Sequence, residues 1–213
     1  MGAGEAYGIC INKPVSGAVL GAEFTVFNAP KNGVIYRTVV TRGAAGFAGS
    51  TTTLAKVPTQ PEGCIADPRT GTLRSGTLYI GEEDAGLWAI DMVSGAKKLV
   101  APIDNKLLVA DLEGLAIAPE GIDGGYLVGS SQGDNAYAVW RLPDLTPVGR
   151  FRIAAGALGS TEETDGIELD NRDFGPDFPG GIFIAQDGVN PPKAQNFKYA
   201  RWDAILAALE AGR

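Results

Sequence analysis

Gly114-Leu-Ala-Ile117 is the first of four short apolar runs, which continue with Tyr126-Leu-Val-Gly-Ser-Ser-Gln132, Ala136-Tyr-Ala-Val-Trp-Arg141 and Val148-Gly-Arg-Phe-Arg-Ile153. Runs of this length, separated by turn residues, are typical of β-strands joined by tight turns. The chain of 213 residues contains 30 glycines and 13 prolines, which favours many turns and therefore many short strands. This stretch predicts one antiparallel sheet.

The same pattern recurs along the chain at a nearly constant interval. Glycines at positions 8, 63, 114 and 166 each open a similar apolar run, and they stand 55, 51 and 52 residues apart. Several strands in a repeat of about 50 residues are typical of a β-propeller blade. The sequence therefore predicts an all-β propeller of about four blades in one domain, residues 1–213, with repeats near 7–60, 61–110, 111–160 and 161–202.

The end of the chain departs from this pattern. Trp202-Asp-Ala-Ile-Leu-Ala-Ala-Leu-Glu210 has apolar residues at helical spacing, which predicts a short terminal helix.

Acidic residues precede three of the repeat glycines. Glu62, Glu113 and Asp165 stand at equivalent positions, and in a propeller such positions form a ring around the central channel. Asp111 lies two residues before Glu113 and points to the same side by strand alternation, while Glu83 ends a second strand. Converging carboxylates without histidine predict a site for a hard cation, best for calcium. The alternative is that these acids are solvated turn residues.

Composition excludes several classes of function. The chain has no histidine, which rules out Ser-His or Cys-His catalysis and histidine-ligated zinc. Cys10 and Cys64 are too few for a disulfide scaffold and are predicted to be buried small residues. The net charge of −7 argues against nucleic acid or an anionic membrane surface as partner. No apolar run is long enough to span a membrane, and no export signal is expected at residues 1–6.

These motifs together resemble the β-propeller (alkaline, calcium-dependent) phytases, which hydrolyse phosphate from inositol hexakisphosphate (phytate). The matching stretches lie between residues 7 and about 202, nearly the whole chain. They are Tyr7-Gly-Ile-Cys-Ile11, Pro61-Glu-Gly-Cys-Ile-Ala-Asp67, Gly76-Thr-Leu-Tyr-Ile-Gly-Glu-Glu-Asp84, Asp111-Leu-Glu-Gly-Leu115, Gly125-Tyr-Leu-Val-Gly-Ser-Ser-Gln-Gly133, Glu163-Thr-Asp-Gly-Ile167, Gly181-Ile-Phe-Ile-Ala-Gln-Asp-Gly188 and Gln195-Asn-Phe-Lys198.

The resemblance implies a six-bladed propeller with several calcium ions at one end of the channel, where a calcium-held water attacks phosphorus. It places Tyr7, Lys31 and Gln132 beside the substrate phosphates, although Tyr7 as a packing residue and Lys31 as a solvated turn lysine remain open. Asp187 matches a segment near a structural calcium and is predicted as a further metal ligand. The residues that match the family's calcium and catalytic acids are Glu62, Glu83, Asp111, Glu113 and Asp165.

Two departures from the family pattern qualify these expectations. About four repeats are present instead of six, so roughly two N-terminal blades are expected to be absent, leaving open blade faces through which the chain could self-associate. The family also has an aspartate shortly before the position of Asp165, where this chain offers only Glu162 or Glu163.

The alternatives to a phytase are a non-catalytic calcium-binding propeller module and, less favoured, a propeller lactonase or esterase. By resemblance, the expected location is secreted, extracellular or periplasmic.

Overall fold

The computed structural model describes Glu5 and residues 7–12, 22–69 and 76–212. Its strands form four antiparallel sheets, and one short helix follows the last strand. The chain divides into two compact units, residues 1–101 and 102–213, which are described in turn. The prediction of an all-β chain with a terminal helix is confirmed.

The first unit contains two sheets, each with its strands in chain order. The short strands follow from apolar runs that alternate or are buried on both faces, interrupted by turns. The first sheet comprises β1 (Gly8–Asn12), β2 (Ala22–Ala29), β3 (Val34–Gly43) and β4 (Gly46–Lys56), and the second comprises β5 (Pro61–Asp67), β6 (Thr77–Glu82), β7 (Gly86–Asp91) and β8 (Lys97–Pro102).

A shared apolar core joins these two sheets. Phe27 and Ile35 from the first sheet pack with Leu78 and Ile80 from the second, and all four are almost fully buried. At the edge of this core a disulfide connects Cys10 on β1 to Cys64 on β5, with 5.8 Å between their Cα atoms. The prediction that both cysteines are simply buried small residues is therefore wrong, because β1 of the first sheet lies against β5 of the second and brings the two sulfur atoms together.

The second unit also contains two sheets, and the helix packs against them. Helix α1 (Trp202–Ala211) buries Trp202, Ile205 and Leu209 in a core shared with Tyr137 and Phe183. Within the described part of the chain, no helix is long and apolar enough to span a membrane. The third sheet comprises β9 (Leu112–Glu120), β10 (Gly124–Ser131), β11 (Ala136–Leu142) and β12 (Thr146–Phe151), and the fourth comprises β13 (Ile167–Asp170), β14 (Ile182–Asp187) and β15 (Asn196–Arg201).

Two of the repeat glycines, Gly8 and Gly114, mark places where the first strand of one sheet lies against the backbone of the acid-bearing segment of the next sheet. A Cβ atom added to Gly8 would lie 2.2 Å from the carbonyl oxygen of Glu62, and one added to Gly114 would lie 2.7 Å from that of Asp165. The amide of Gly114 also donates a hydrogen bond of 2.8 Å to the Asp165 carbonyl. Glycine is needed here because any side chain would separate the strand from the acid-bearing segment of the next sheet.

This close approach yields a first prediction. We expect Gly114→Ala to lower the free energy of unfolding by roughly 1–3 kcal/mol, because the new methyl group overlaps backbone atoms that cannot rotate away. Chemical denaturation measures the loss. Gly156→Ala is the matched control, since a Cβ there meets no atom within 4 Å. Equal free energies of unfolding in the two variants would show that the close backbone contact at Gly114 does not contribute to stability.

Candidate functional site

Two of the predicted acids stand side by side in the second unit, one on a strand and one just before a strand. Glu113 lies in β9 with only 8% of its surface exposed, and Asp165 lies just before β13 and is exposed. The hydrogen bond between Gly114 and Asp165 fixes the backbones of these two acids side by side. Asp111, half-buried, lies immediately before β9. The third and fourth sheets therefore present their acids at the same end.

Gln132 connects these acids. It begins a 3-10 turn, Gln132–Asp134, directly after β10. Its backbone amide donates to the carbonyl of Asp111 at 2.9 Å, and its side-chain Nε2 donates to Asp165 Oδ1 at 2.7 Å. The Asp165 amide in turn donates to Gln186 Oε1 at 2.8 Å. The structure thus brings together three residues that the sequence proposed separately, and adds Gln186 on β14.

The segment leading into β13 is held by hydroxyl groups that sequence reasoning missed. The Tyr137 hydroxyl lies 2.8 Å from Thr161 Oγ1 and 2.9 Å from Thr164 Oγ1. Ser130 Oγ donates to the Thr164 carbonyl at 2.8 Å. Burial raises the pKa of Tyr137 above its ordinary value, so its hydroxyl stays protonated and can donate. These contacts hold the backbone immediately before Asp165.

Asp187, at the end of β14, forms a buried ion pair with Lys198. Its carboxylate accepts a hydrogen bond from the Lys198 ammonium, and its Oδ1 accepts from the Glu162 amide at 3.1 Å. Burial alone would raise the pKa of Asp187, but these donors and the charge of Lys198 outweigh burial and hold the pKa below its usual value. The role of Asp187 as a metal ligand stays a prediction, and Lys198 already balances its charge.

In the first unit, the predicted acids Glu62 and Glu83 flank a buried carboxylate that the sequence did not single out. Glu62 is buried and accepts a hydrogen bond from Gln60 Nε2, while the amide of half-buried Glu83 donates to the Gln60 carbonyl at 3.0 Å. Glu82 is fully buried. Its Oε1 accepts from the Thr59 amide and hydroxyl at 2.5 and 2.6 Å, and its Oε2 accepts from Trp88 Nε1 at 2.5 Å.

The two predicted phosphate ligands of the first unit lie together. The Lys31 ammonium sits 4.7 Å from the centroid of the Tyr7 ring, a cation–π contact. It also lies 3.9 Å from Glu5 Oε1, and more than a third of the Lys31 side chain is exposed. Tyr7 is exposed as well, so this pair forms a polar surface open to a ligand.

Comparison with known proteins gives these positions a family context. The model of the phytase family matches residues 7–212. This chain belongs to the phytase family. A 3-phytase of Bacillus subtilis (strain 168) is 35% identical over 209 residues, an alignment that covers 87% of this chain and 53% of the Bacillus protein. The phytase-family chain thus spans about half the length of this curated relative.

The donor chemistry of the phytase-family site can be compared with that of calcium. Among the described residues, no group of three or more aspartate, glutamate, cysteine or histidine side chains lies close enough together to hold a metal. The residues near the Gly114–Asp165 contact nevertheless offer only oxygen ligands, from Asp111, Glu113, Asp165 and the amide of Gln132. Carboxylate and amide oxygens are the ligands that calcium takes in proteins. The donor set therefore fits a hard cation in its chemistry.

Proposed function

We propose that this chain hydrolyses phosphate monoesters of phytate with the help of calcium. Membership in the phytase family and the 35% identity to a 3-phytase support the substrate and the reaction. The observation that carries the proposal is the hydrogen bond from Gln132 to Asp165, beside the Gly114–Asp165 backbone contact. These bonds support one polar site at the end of the third and fourth sheets.

In this proposal, Asp111, Glu113 and Asp165 hold calcium in the second unit, and Glu62 and Glu83 are the corresponding acids of the first. Bound calcium polarises phosphoryl oxygens and lowers the pKa of a bound water. Three further residues have separate roles in this proposal. Gln132 orients the carboxylate of Asp165, Lys31 offers a point charge to a phosphate, and Tyr7 shapes the surface beside Lys31.

We also propose that the sheets are blades of a partial phytase propeller, with repeats near 7–60, 61–110, 111–160 and 161–202. The chain-order meander of each sheet and the repeated glycine contacts support this arrangement.

The Cys10–Cys64 disulfide supports a secreted or periplasmic location, because disulfides persist in oxidising compartments. The net charge of −7 supports a small-molecule partner over nucleic acid or anionic membrane. Exposed Ile9 and Ile11 on β1 support self-association.

Calcium is expected to stabilise the folded chain. A ligand at a hundredfold excess over its dissociation constant adds about 2.7 kcal/mol if it binds only the folded state. We therefore expect the melting temperature to rise in millimolar calcium and to fall back when a chelator is added. Magnesium at the same concentration is the control for ionic strength. A melting temperature that does not change with calcium would contradict the proposed calcium site.

Phosphate release from phytate, measured with and without calcium, separates the enzyme from the alternative of a non-catalytic calcium-binding module. Calcium-dependent release is the expected result. Calcium binding without any release would favour the non-catalytic module.

A further inference from the structure

One buried polar side chain ends the second strand in each of three sheets. Glu82, Ser131 and Asp187 are 0%, 0% and 1% exposed. Strand pairing shows that the three positions are equivalent. In each sheet, the residue after the repeat glycine pairs with a residue of the second strand, and the buried polar residue lies two positions after that partner. Those pairs are Cys64 with Ile80, Leu115 with Gly129 and Ile167 with Ala185.

Each of the three side chains binds the segment that leads into the first strand of its own sheet. In the second sheet, Glu82 accepts hydrogen bonds from both the amide and the hydroxyl of Thr59. Thr59 lies three residues before Glu62, the proposed calcium acid of this sheet. The indole of Trp88 donates to the other oxygen of Glu82, so the carboxylate is held in one orientation.

In the third sheet a hydroxyl replaces the carboxylate. Ser131 Oγ accepts a hydrogen bond from the Val109 amide at 2.8 Å, and its one proton can be donated to the Val109 carbonyl at 3.0 Å or to Asp134 Oδ1 at 3.1 Å. Val109 lies two residues before Asp111 and four before Glu113. The segment before the first strand of the third sheet is thus held at the backbone amide and carbonyl of Val109.

In the fourth sheet the acceptor is again a carboxylate. Asp187 Oδ1 accepts from the amide of Glu162, three residues before Asp165. The amide of Gly188 donates to the carbonyl of Glu162 at 2.8 Å, so this residue too is held on both sides. Lys198 balances the charge that the carboxylate brings into the core.

We infer that Glu82, Ser131 and Asp187 are positioning residues that set where the calcium-binding acids stand, an inference that rests on the proposed function. Each of the three side chains is buried and accepts a hydrogen bond from a backbone amide in the segment before the first strand. Negative charge is not a common property, because Ser131 is neutral. The Ser131 hydroxyl is engaged with the Val109 backbone, so the role common to all three residues is to hold the segment before the first strand. Asp187 therefore acts on Asp165 through the backbone of Glu162.

Ser131→Ala tests this in the second unit. The variant loses both bonds to Val109, so the segment carrying Asp111 and Glu113 is freed. Residues that orient metal ligands typically change metal affinity by roughly 10–100-fold when removed. We expect the calcium dissociation constant, measured by calorimetry with calcium alone well below the melting temperature, to rise at least about tenfold. Hydrogen exchange at the Val109 amide should accelerate in the same variant.

Ser94→Ala is the matched control, because the Ser94 hydroxyl donates to Asp91 and accepts from the Ala96 amide within one exposed turn. Its calcium affinity should equal that of the unchanged protein. If Ser131→Ala lowers the melting temperature but leaves the calcium dissociation constant unchanged, Ser131 is merely structural and the inference is overturned.

A pair of double variants separates positioning by Asp187 from metal ligation. Asp187→Asn with Lys198→Met removes both charges but keeps an oxygen that can accept from the Glu162 amide. Asp187→Leu with Lys198→Met removes that acceptor as well. We expect the first pair to keep calcium affinity within about threefold and the second to lose at least about tenfold. Equal, large losses in both would mean that the Asp187 charge binds the metal, against the inference.

These outcomes separate the inference from the proposed function. If the unchanged protein binds no calcium, the proposed function fails and no metal-binding acids remain to be positioned. If it binds calcium and the Ser131 and Asp187 variants bind equally well, the positioning role alone is overturned.

Discussion

The Cys10→Ser/Cys64→Ser variant should lose about 4 kcal/mol of unfolding free energy in the first unit, because the disulfide closes a loop of 54 residues. In the chain-entropy account, an open loop of this length gains conformations in the unfolded state and stabilises it. The melting temperature of the first unit should fall by roughly 20 °C. Urea denaturation followed by fluorescence measures the change.

A reducing agent provides the control. Dithiothreitol should destabilise the unchanged protein by a similar amount and should leave the double-serine variant unaffected. If the double-serine variant unfolds at the same urea concentration as the oxidised protein, the crosslink does not constrain the unfolded chain and the prediction is wrong.

Glu113→Gln should weaken calcium binding and phytate hydrolysis by at least about 100-fold, above the roughly 10–100-fold effect of residues that only orient ligands. The change keeps the size of this buried side chain but removes its charge, which is the property that calcium requires. Stability without calcium should change little in comparison. Calorimetry with calcium and phosphate release from phytate are the two measurements.

Glu120→Gln is the matched control, because Glu120 lies in the same strand and makes an exposed ion pair with Arg141. An exposed pair contributes about 0–1 kcal/mol, and this one lies at the other end of β9. Full calcium affinity in Glu113→Gln would show that Glu113 is not a ligand.

Local patterns in the sequence predicted the strands and the terminal helix well. Gly114 stands out because glycine after an acid recurs at a fixed interval, and the structure explains it by contact with the Asp165 backbone. The helix from Trp202 is visible because its apolar residues follow a period of 3.6. Each of these signals lies within a few residues and depends on local geometry.

Other features depend on contacts between residues far apart in the chain, and they leave no local signal. Cys10 and Cys64 carry no sign of pairing, because their approach depends on β1 lying against β5. Thr161 and Thr164 look like ordinary loop residues until the Tyr137 hydroxyl reaches them. Such partners become visible only when the sheets are packed.

The ends of the second strands show a limit of aligning the repeats by their sequence motifs. Matching Gly81 with Gly129 by sequence aligns Glu82 with Ser130, whereas strand pairing aligns Glu82 with Ser131. The difference is one residue, because Cys64 pairs with Ile80 whereas Leu115, the equivalent residue of the third sheet, pairs with Gly129. A shift of one residue in a strand exchanges the buried and exposed faces, so motif matching alone could not separate Glu82 from Glu83.

The turns at the opposite end of each meander are built differently, with consequences for engineering. Asp91 Oδ1 accepts from the Val93 and Ser94 amides, and Asp144 bonds to Thr146, so these turns are closed by their own residues. Val93 and Ile122 point into solvent. Insertions are tolerated best at exposed turns that hold nothing else in place. An affinity tag or a fused carrier domain belongs at residues 121–123, where it leaves the acid-bearing end of the sheets untouched.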